Sequence, residues 1–444
     1  MRTAINLQIK KPTAFKKQLL NWSKQFREAI FLDSNNYEQK YTSFDTILAV
    51  DAFTSIKTDE INAFEDLKQY QQTAKDWLFG YLSYDLKNDT EELKSKNFDG
   101  LHFPELFFFQ PKKLFLIKGD QLEIKYLNMC DDEVEEDLEE IFLMAVDRVQ
   151  FSDGSSQQSE EHKSEILNHK LEIQQRISQE KYLEKVSNML EHIHRGDIYE
   201  ANFCMEFYAE NTKINPIEIY QKLNAISEPP FAVFFKNHKQ FLMSASPERY
   251  LRKENDKIIS QPIKGTAKRH EDLAEDEKIK QELISNEKER SENIMIVDLV
   301  RNDLSRTASK GSVEVEELCG AYSFKQVHHL ISTVISKVEP DKSPVEIIKT
   351  TFPMGSMTGA PKISAMQIIE DLEETKRGLY SGAIGYFTPE NDFDFNVVIR
   401  SILYNEENNY ASFSVGSAIT SLSIPEKEYE ECLLKAKAMR SVLE

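Results

Sequence analysis

Phe241-Leu242-Met243-Ser244-Ala245-Ser246-Pro247-Glu248-Arg249-Tyr250-Leu251-Arg252, followed by Lys257-Ile258-Ile259-Ser260-Gln261-Pro262-Ile263-Lys264, reads as two strands around the turn Glu254-Asn255-Asp256. Residues 271–304, immediately beyond, are helical by composition and period. Long strands beside long helices, with no regular strand–helix alternation, point to an α+β class. No GxGxxG follows a strand and no P-loop is present, so a parallel dinucleotide-binding sheet is not expected.

The same pattern extends outward. Leu106 to Phe109 form a buried strand signal, and Lys113 to Tyr126 a hairpin around Lys118-Gly119-Asp120. A helix starts at the cap Ser178, with Tyr182, Val186, Met189, Leu190 and Ile193 on one face. Between these lies a polar, loop-like stretch from Ser152 to about Ser164. The expected organisation is a 1–150 region, a linker-like 151–177 stretch and a 178–444 catalytic region. Repeats of solenoid length are not visible.

The chain has 444 residues and a formal net charge of −20. That charge argues against a nucleic-acid partner. An anionic substrate would need a local island of positive charge or a metal ion. No apolar run approaches the roughly 20 residues needed to cross a bilayer, so no membrane association is expected. Met1 to Asn6 lacks a signal-peptide apolar region, which makes the cytosol the default expectation. Cys130, Cys204, Cys319 and Cys432 lie far apart and form no CxxC pair, so neither a zinc site nor a disulfide framework is indicated.

Several residues are chemically out of place. In Pro262-Ile263-Lys264-Gly265-Thr266, a lysine stands between a proline-fixed strand and a glycine. With restricted access to water it would be a nucleophile; otherwise it is a strand-end lysine in solvent. Glu289 and Glu292 sit one helical turn apart, and Glu292 continues into the stripe Met295, Ile296, Leu299 and Val300. Glu428 and Glu431 repeat this, with Leu434, Ala438 and Val442 beyond them. These are either solvated helix charges or, with the two helices face to face, an oxygen-rich site suited to Mg²⁺. Glu248 and Lys264 would lie within about 10 Å across the hairpin, as an acid and an amine facing one pocket or as a plain ion pair. Pro247 suggests an edge or bulge there. Gly355 to Lys362 runs into a helix whose first position suits Pro361; its free N–H groups suit a carboxylate or phosphate, or the segment is a structural turn. Ile363, Met366, Ile369 and Leu372 would form that helix's buried face. Arg400, ending Phe395 to Ile399, suits bidentate carboxylate recognition. Tyr380 would add a hydroxyl, and His329 would be an acid/base or a structural histidine.

Together these segments resemble the chorismate-utilising enzymes, the family that includes anthranilate synthase component I and aminodeoxychorismate synthase component I. The resemblance runs through Ser246 to Arg249, Lys288 to Asn293, Met295 to Asp303, Gly355 to Lys362, Arg377 to Tyr386 and Glu428 to Glu431, with Gly80 to Asp85 nearer the start. It implies two large antiparallel sheets packed together with helices outside, chorismate as substrate, and Mg²⁺. By the same resemblance Glu292 and Glu431 match the main Mg²⁺ ligands, and Glu289 and Glu428 match carboxylates acting through water. Glu248 matches the general acid, Lys264 the nucleophile, and His329 a histidine beside the ring. Thr266, Thr358, Gly359, Tyr380, Arg400 and Gly416 match substrate-binding positions. Phe31-Leu32-Asp33-Ser34 is similar to the segment that holds regulatory tryptophan in anthranilate synthases.

In this family the middle residue of Pro-Ile-x-Gly-Thr divides activities: alanine in anthranilate synthases, lysine in aminodeoxychorismate synthases. Lys264 therefore implies amination at C4, with ammonia from a separate glutamine amidotransferase subunit. The alternatives are an anthranilate synthase component I, an ammonia-independent isochorismate or salicylate synthase, and a silent regulatory subunit. One segment departs from the family pattern. Gly416-Ser417-Ala418-Ile419 stands where a GxGI segment is usual, and Leu422 where an aspartate is expected. The backbone N–H groups there could still bind a carboxylate, while the side chains of Ser417 and Ala418 could crowd the ligand.

Overall fold

In the computed structural model, residues 1–144 and 171–444 are described. The expected linker 151–177 thus lies largely outside the described residues; within its last part, Gln174–Gln175 pairs with strand Glu200–Ala209. The strands form one antiparallel ladder folded into two packed sheets, confirming the α+β class. The first sheet runs outward from strand Phe231–Asn237. On one side lie Glu28–Asp33, Thr46–Thr58, Leu106–Lys118, Gln121–Leu127 and Arg2–Gln8. On the other lie Gln240–Ser246, Ser401–Asn405, Tyr410–Thr420 and Glu200–Ala209. The second sheet runs through Leu78–Leu82, Ala383–Phe387, Phe393–Val397, Arg249–Glu254, Lys257–Gln261 and Val327–Lys337. Its last strand also pairs with Ile263–Lys268 and Glu314–Ser323.

Period-two alternation explains the layers. Ile30, Val233, Phe235, Leu242 and Leu403 of the first sheet meet Phe79, Tyr81, Ile384 and Tyr386 of the second in a core between the sheets. Their neighbours Phe31, Phe234, Met243 and Tyr404 face the other way, onto a helical layer that includes Gln179–Arg195 and Pro425–Leu443. Ala383, Phe387 and Phe395 face a second helical layer that includes Ala63–Ala74, Glu287–Ser305 and Pro344–Thr351.

The Lys118/Gln121 hairpin and the Ser178 cap are present as expected. Elsewhere continuous sequence patterns are broken. Residues 241–252 are two strands, Gln240–Ser246 in one sheet and Arg249–Glu254 in the other, with Pro247 and Glu248 making the crossing. Residues 257–264 divide at Pro262. The 271–304 helix is two helices, Leu273–Ser285 and Glu287–Ser305. Asn286 ends the first and caps the second by accepting from the Glu289 N–H at 3.1 Å. Pro361 is the N-cap of Lys362–Leu372 rather than its first turn, and Ile363 is exposed. In Pro425–Leu443 the core stripe is Tyr429, Cys432, Ala436 and Met439, whereas Leu434 is 65% exposed.

Candidate active site

Two chain crossings between the sheets build the floor of a cavity of about 820 Å³. At the first, the Ser246 hydroxyl donates to Val397 O (2.6 Å) and accepts from Glu248 N (3.3 Å), while Val397 N donates to Glu248 O (3.0 Å). Pro247 has no N–H to leave unpaired at this bend. The second crossing, Val398 to Arg400, is fixed by Val398 N to Gly382 O (2.8 Å) and Ala245 N to Arg400 O (3.0 Å). These bonds aim Glu248 and Arg400 into the same space.

Lys264 reaches it by a bulge. Ile263 pairs with Ile331 and Thr266 with His329, so the Ile263–Lys268 strand carries one extra residue. Gly265 absorbs it at φ +94°, where a side chain would be strained and a Cβ would lie 3.1 Å from Leu330. Asn293 pins helix Glu287–Ser305 to the bulge, its amide donating to Lys264 O (3.1 Å) and Leu330 O (3.2 Å). That single contact brings Glu289 and Glu292 to the cavity beside Lys264. The Lys264 ammonium has no ion pair among the described residues, yet its charge acts on Glu200, Glu248, Glu289 and Glu431.

Glu248 is 4% exposed. Burial raises its carboxyl to about 7, against the pull of Ser356, Lys264 and the Ile263 backbone. His329 moves the opposite way. Burial, with Arg400 nearby, lowers it to about 3, so the ring is neutral near pH 7 and accepts or donates hydrogen bonds, one of them to Thr266 Oγ1 (2.9 Å). Arg400 makes no ion pair among the described residues; burial lowers its affinity for a proton, with Tyr380 and Glu431 opposing. An unpaired, desolvated guanidinium in a cavity is a carboxylate receptor. Lys268 and Lys437 add positive charge to the lining of a strongly acidic chain, whereas Arg269 and Lys325 are paired with Asp276 and Glu228.

Glu289, Glu292, Glu428 and Glu431 line one side. Burial raises Glu289 and Glu428, and neighbouring carboxylates add to it. Burial also acts on Glu431, but Lys435 at 2.6 Å overrides it and lowers the group. Lys288 stands 3.7 Å from Glu292. No ready-made cage of three or more ligands exists among the described residues. A hard cation taking one or two of these carboxylates would relieve the repulsion that helps to raise Glu289 and Glu428.

Eleven of the thirteen anticipated residues line this cavity; Thr358 and Gly359 stand behind it, with Ser356 and Met357 at the wall. Thr358 Oγ1 donates to Gly355 O (3.2 Å), and Gly359 pairs with Ala201. Ser417 points away from the cavity, to Tyr182 at 3.0 Å, so it does not crowd a ligand; Gly416 and Ala418 form the wall. A Cβ on Gly416 would lie 2.6 Å from Cys204 Sγ. Leu422 is exposed and off the lining. Leu434 and Ala438, taken from the sequence as part of a buried stripe, line the cavity instead. Three residues escaped the sequence reading: Asn293, Asn202 in the cavity wall, and buried Glu200. The polar positions 200, 202 and 206 alternating through an apolar strand were the available signal.

Residues 27–441 match the family described as chorismate binding enzyme. The chain belongs to that family. The anthranilate synthase component I-like protein of Synechocystis sp. is 34% identical over 386 residues, 87% of this chain and 76% of that protein. Aminodeoxychorismate synthase component 1 of Bacillus subtilis is 31% identical over 395 residues, 88% of this chain and 80% of its own. Among solved structures, anthranilate synthase component I from Streptococcus pneumoniae TIGR4 superposes with a TM-score of 0.77 at 25% identity, covering 91% of this chain and 94% of the other. The cavity of this chorismate-binding enzyme therefore lies in a fold shared along almost the whole chain. No helix among the described residues is long and apolar enough to cross a membrane.

Proposed function

We propose that this chorismate-binding enzyme is an aminodeoxychorismate synthase component I, aminating chorismate at C4 to give 4-amino-4-deoxychorismate, the precursor of 4-aminobenzoate and folate. The observation that carries this is Lys264, turned by the Gly265 bulge into the same cavity as Glu248 and free of any ion pair among the described residues. The Lys264 nitrogen attacks C2, the two ring double bonds each shift one place toward C4, and the C4 hydroxyl leaves as water with the Glu248 proton. Ammonia then adds at C4, the double bonds shift back and the lysine is expelled. With C2 blocked, nitrogen is directed to C4. Arg400 and Tyr380 hold one substrate carboxylate. Glu292 and Glu431, with Glu289 and Glu428 beside them, would hold Mg²⁺, which supplies positive charge for the other carboxylate and the departing oxygen.

All four cysteines are buried, so none is presented to hydrolyse glutamine, and ammonia comes from a glutamine amidotransferase partner. A cytoplasmic setting is part of the same proposal. Purified protein given chorismate, Mg²⁺ and ammonium should yield aminodeoxychorismate by mass spectrometry. Anthranilate with pyruvate, or turnover independent of ammonium, would refute the assignment. Lys264→Ala should lose C4 amination or shift nitrogen to C2.

A further inference from the structure

Glu200 is a buried carboxylate that this mechanism leaves unused. It is 3% exposed, and its Oε2 has no hydrogen-bond partner. No cation stands within ion-pair distance of it among the described residues. Such a group is costly to bury unless something in the site needs it. It lies on strand Glu200–Ala209, on the same pleat face as the cavity-lining Asn202. Flanking it are Ala360 on one neighbouring strand and Thr420 on the other, neither able to carry a charge. The charged groups that act on it are Lys264 and, from helix Glu287–Ser305, Glu292.

An amine can attack C2 only after losing a proton, and the proton needs an acceptor shielded from water. The Lys264 charge acts on Glu200, Glu248, Glu289 and Glu431. Glu289 and Glu431 belong to the acidic group assigned to the cation, and Glu248 must arrive protonated at the leaving hydroxyl. Glu200 is the one without another task. We infer that Glu200 is the base that takes the Lys264 proton as the N–C2 bond forms. This inference rests on the nucleophilic role of Lys264 given above. In the step, one N–H bond of the ammonium breaks and an O–H bond forms on Glu200. The freed lone pair makes the N–C2 bond, and the electrons displaced through the ring leave with the C4 oxygen, protonated by Glu248. When ammonia expels the lysine, the proton returns from Glu200 to the amine.

The test omits ammonium so that the adduct accumulates. Protein, chorismate and Mg²⁺ are mixed and acid-quenched, and the adduct (chorismate less water, on Lys264) is timed by intact-mass and peptide mapping. In the wild type its rate should hold level up to about pH 7 and fall above it as Glu248 ionises. In Glu200→Gln it should fall about 100-fold at about pH 6, and its ratio to the wild-type rate should rise about tenfold per pH unit, because solvent must then remove the proton. Glu200→Asp should keep the wild-type profile at a reduced rate. Wild-type rate and profile in Glu200→Gln would overturn the inference while leaving Lys264 as the nucleophile. Absence of any Lys264 adduct in the wild type would overturn both. Should Glu200→Gln not fold, Glu200→Ala decides: recovery by added formate supports the role, and no recovery refutes it.

Discussion

Glu248 ties the chemistry to a measurable cost in stability. Its carboxyl rises from 4.5 to about 7, chiefly because it is buried. Its folded value exceeds its unfolded value, so the folded state holds the proton more tightly. The resulting stability is fully present below about pH 4.5 and is lost as pH rises through about 7. At 1.36 kcal/mol per unit, the whole transition is worth about 3 kcal/mol, most of it lost between about pH 5 and pH 8. Glu248→Gln keeps the shape and hydrogen-bonding capacity but cannot ionise. It should therefore be about 3 kcal/mol more stable than the wild type near pH 8 and nearly equal to it below about pH 4.5. Urea unfolding across this range measures it directly. The same variant should lose C4 amination by a factor of about 100 or more, since the proton donor is gone. Wild-type kcat/KM should fall above about pH 7 as the acid ionises. Lys264→Met removes a charge that lowers Glu248, so its stability midpoint should move higher. If wild type and Glu248→Gln show the same stability difference at both ends of the pH range, Glu248 does not titrate in the buried site, and its assignment as the acid fails.

Gly265→Ala places a Cβ 3.1 Å from Leu330 and 3.3 Å from Glu289 Oε2 at φ +94°; unfolding should show a loss of about 1–3 kcal/mol, and adduct formation on Lys264 should slow as the bulge shifts. Arg377 donates to Glu373 at 2.6 and 2.9 Å and to Met357 O and Asn202 O at 2.6 Å each, so it ties two cavity walls together. Arg377→Met should cost about 3–5 kcal/mol in urea unfolding by stranding buried Glu373, while the product stays the same. Tryptophan should neither bind in calorimetry nor inhibit. The cavity beside Asp33 and Ser34 is about 60 Å³ and is bounded by Arg249 in a bidentate pair with Asp394, whereas even a benzene-sized ligand occupies a cavity of about 150 Å³.

The acidic residues were legible because each breaks a pattern. Glu292 interrupts an apolar helical stripe, and Glu431 does the same on the last helix. Lys264 was legible because proline and glycine bracket it. The sheet-to-sheet crossing was not legible. Pro247 signals an edge or bulge, but period two says which face a side chain takes, not which sheet the strand joins. Asn293 and Glu200 were missed for a related reason. Asn293 matters only because its helix packs on a bulge 29 positions away in sequence, and Glu200 only because the charge of that bulge's lysine acts on it. Leu434 exposes the assumption beneath the stripe argument. An apolar residue aligned with a carboxylate was read as core, yet both line the cavity. The same spacing serves core and site alike. What separates them is whether the facing elements supply side chains that close over the residue; at Gly416 none can be carried, because a Cβ would strike Cys204 on the neighbouring strand. The chemistry of this site is thus written in its charged residues, and its shape in the glycines and crossings that keep other atoms out.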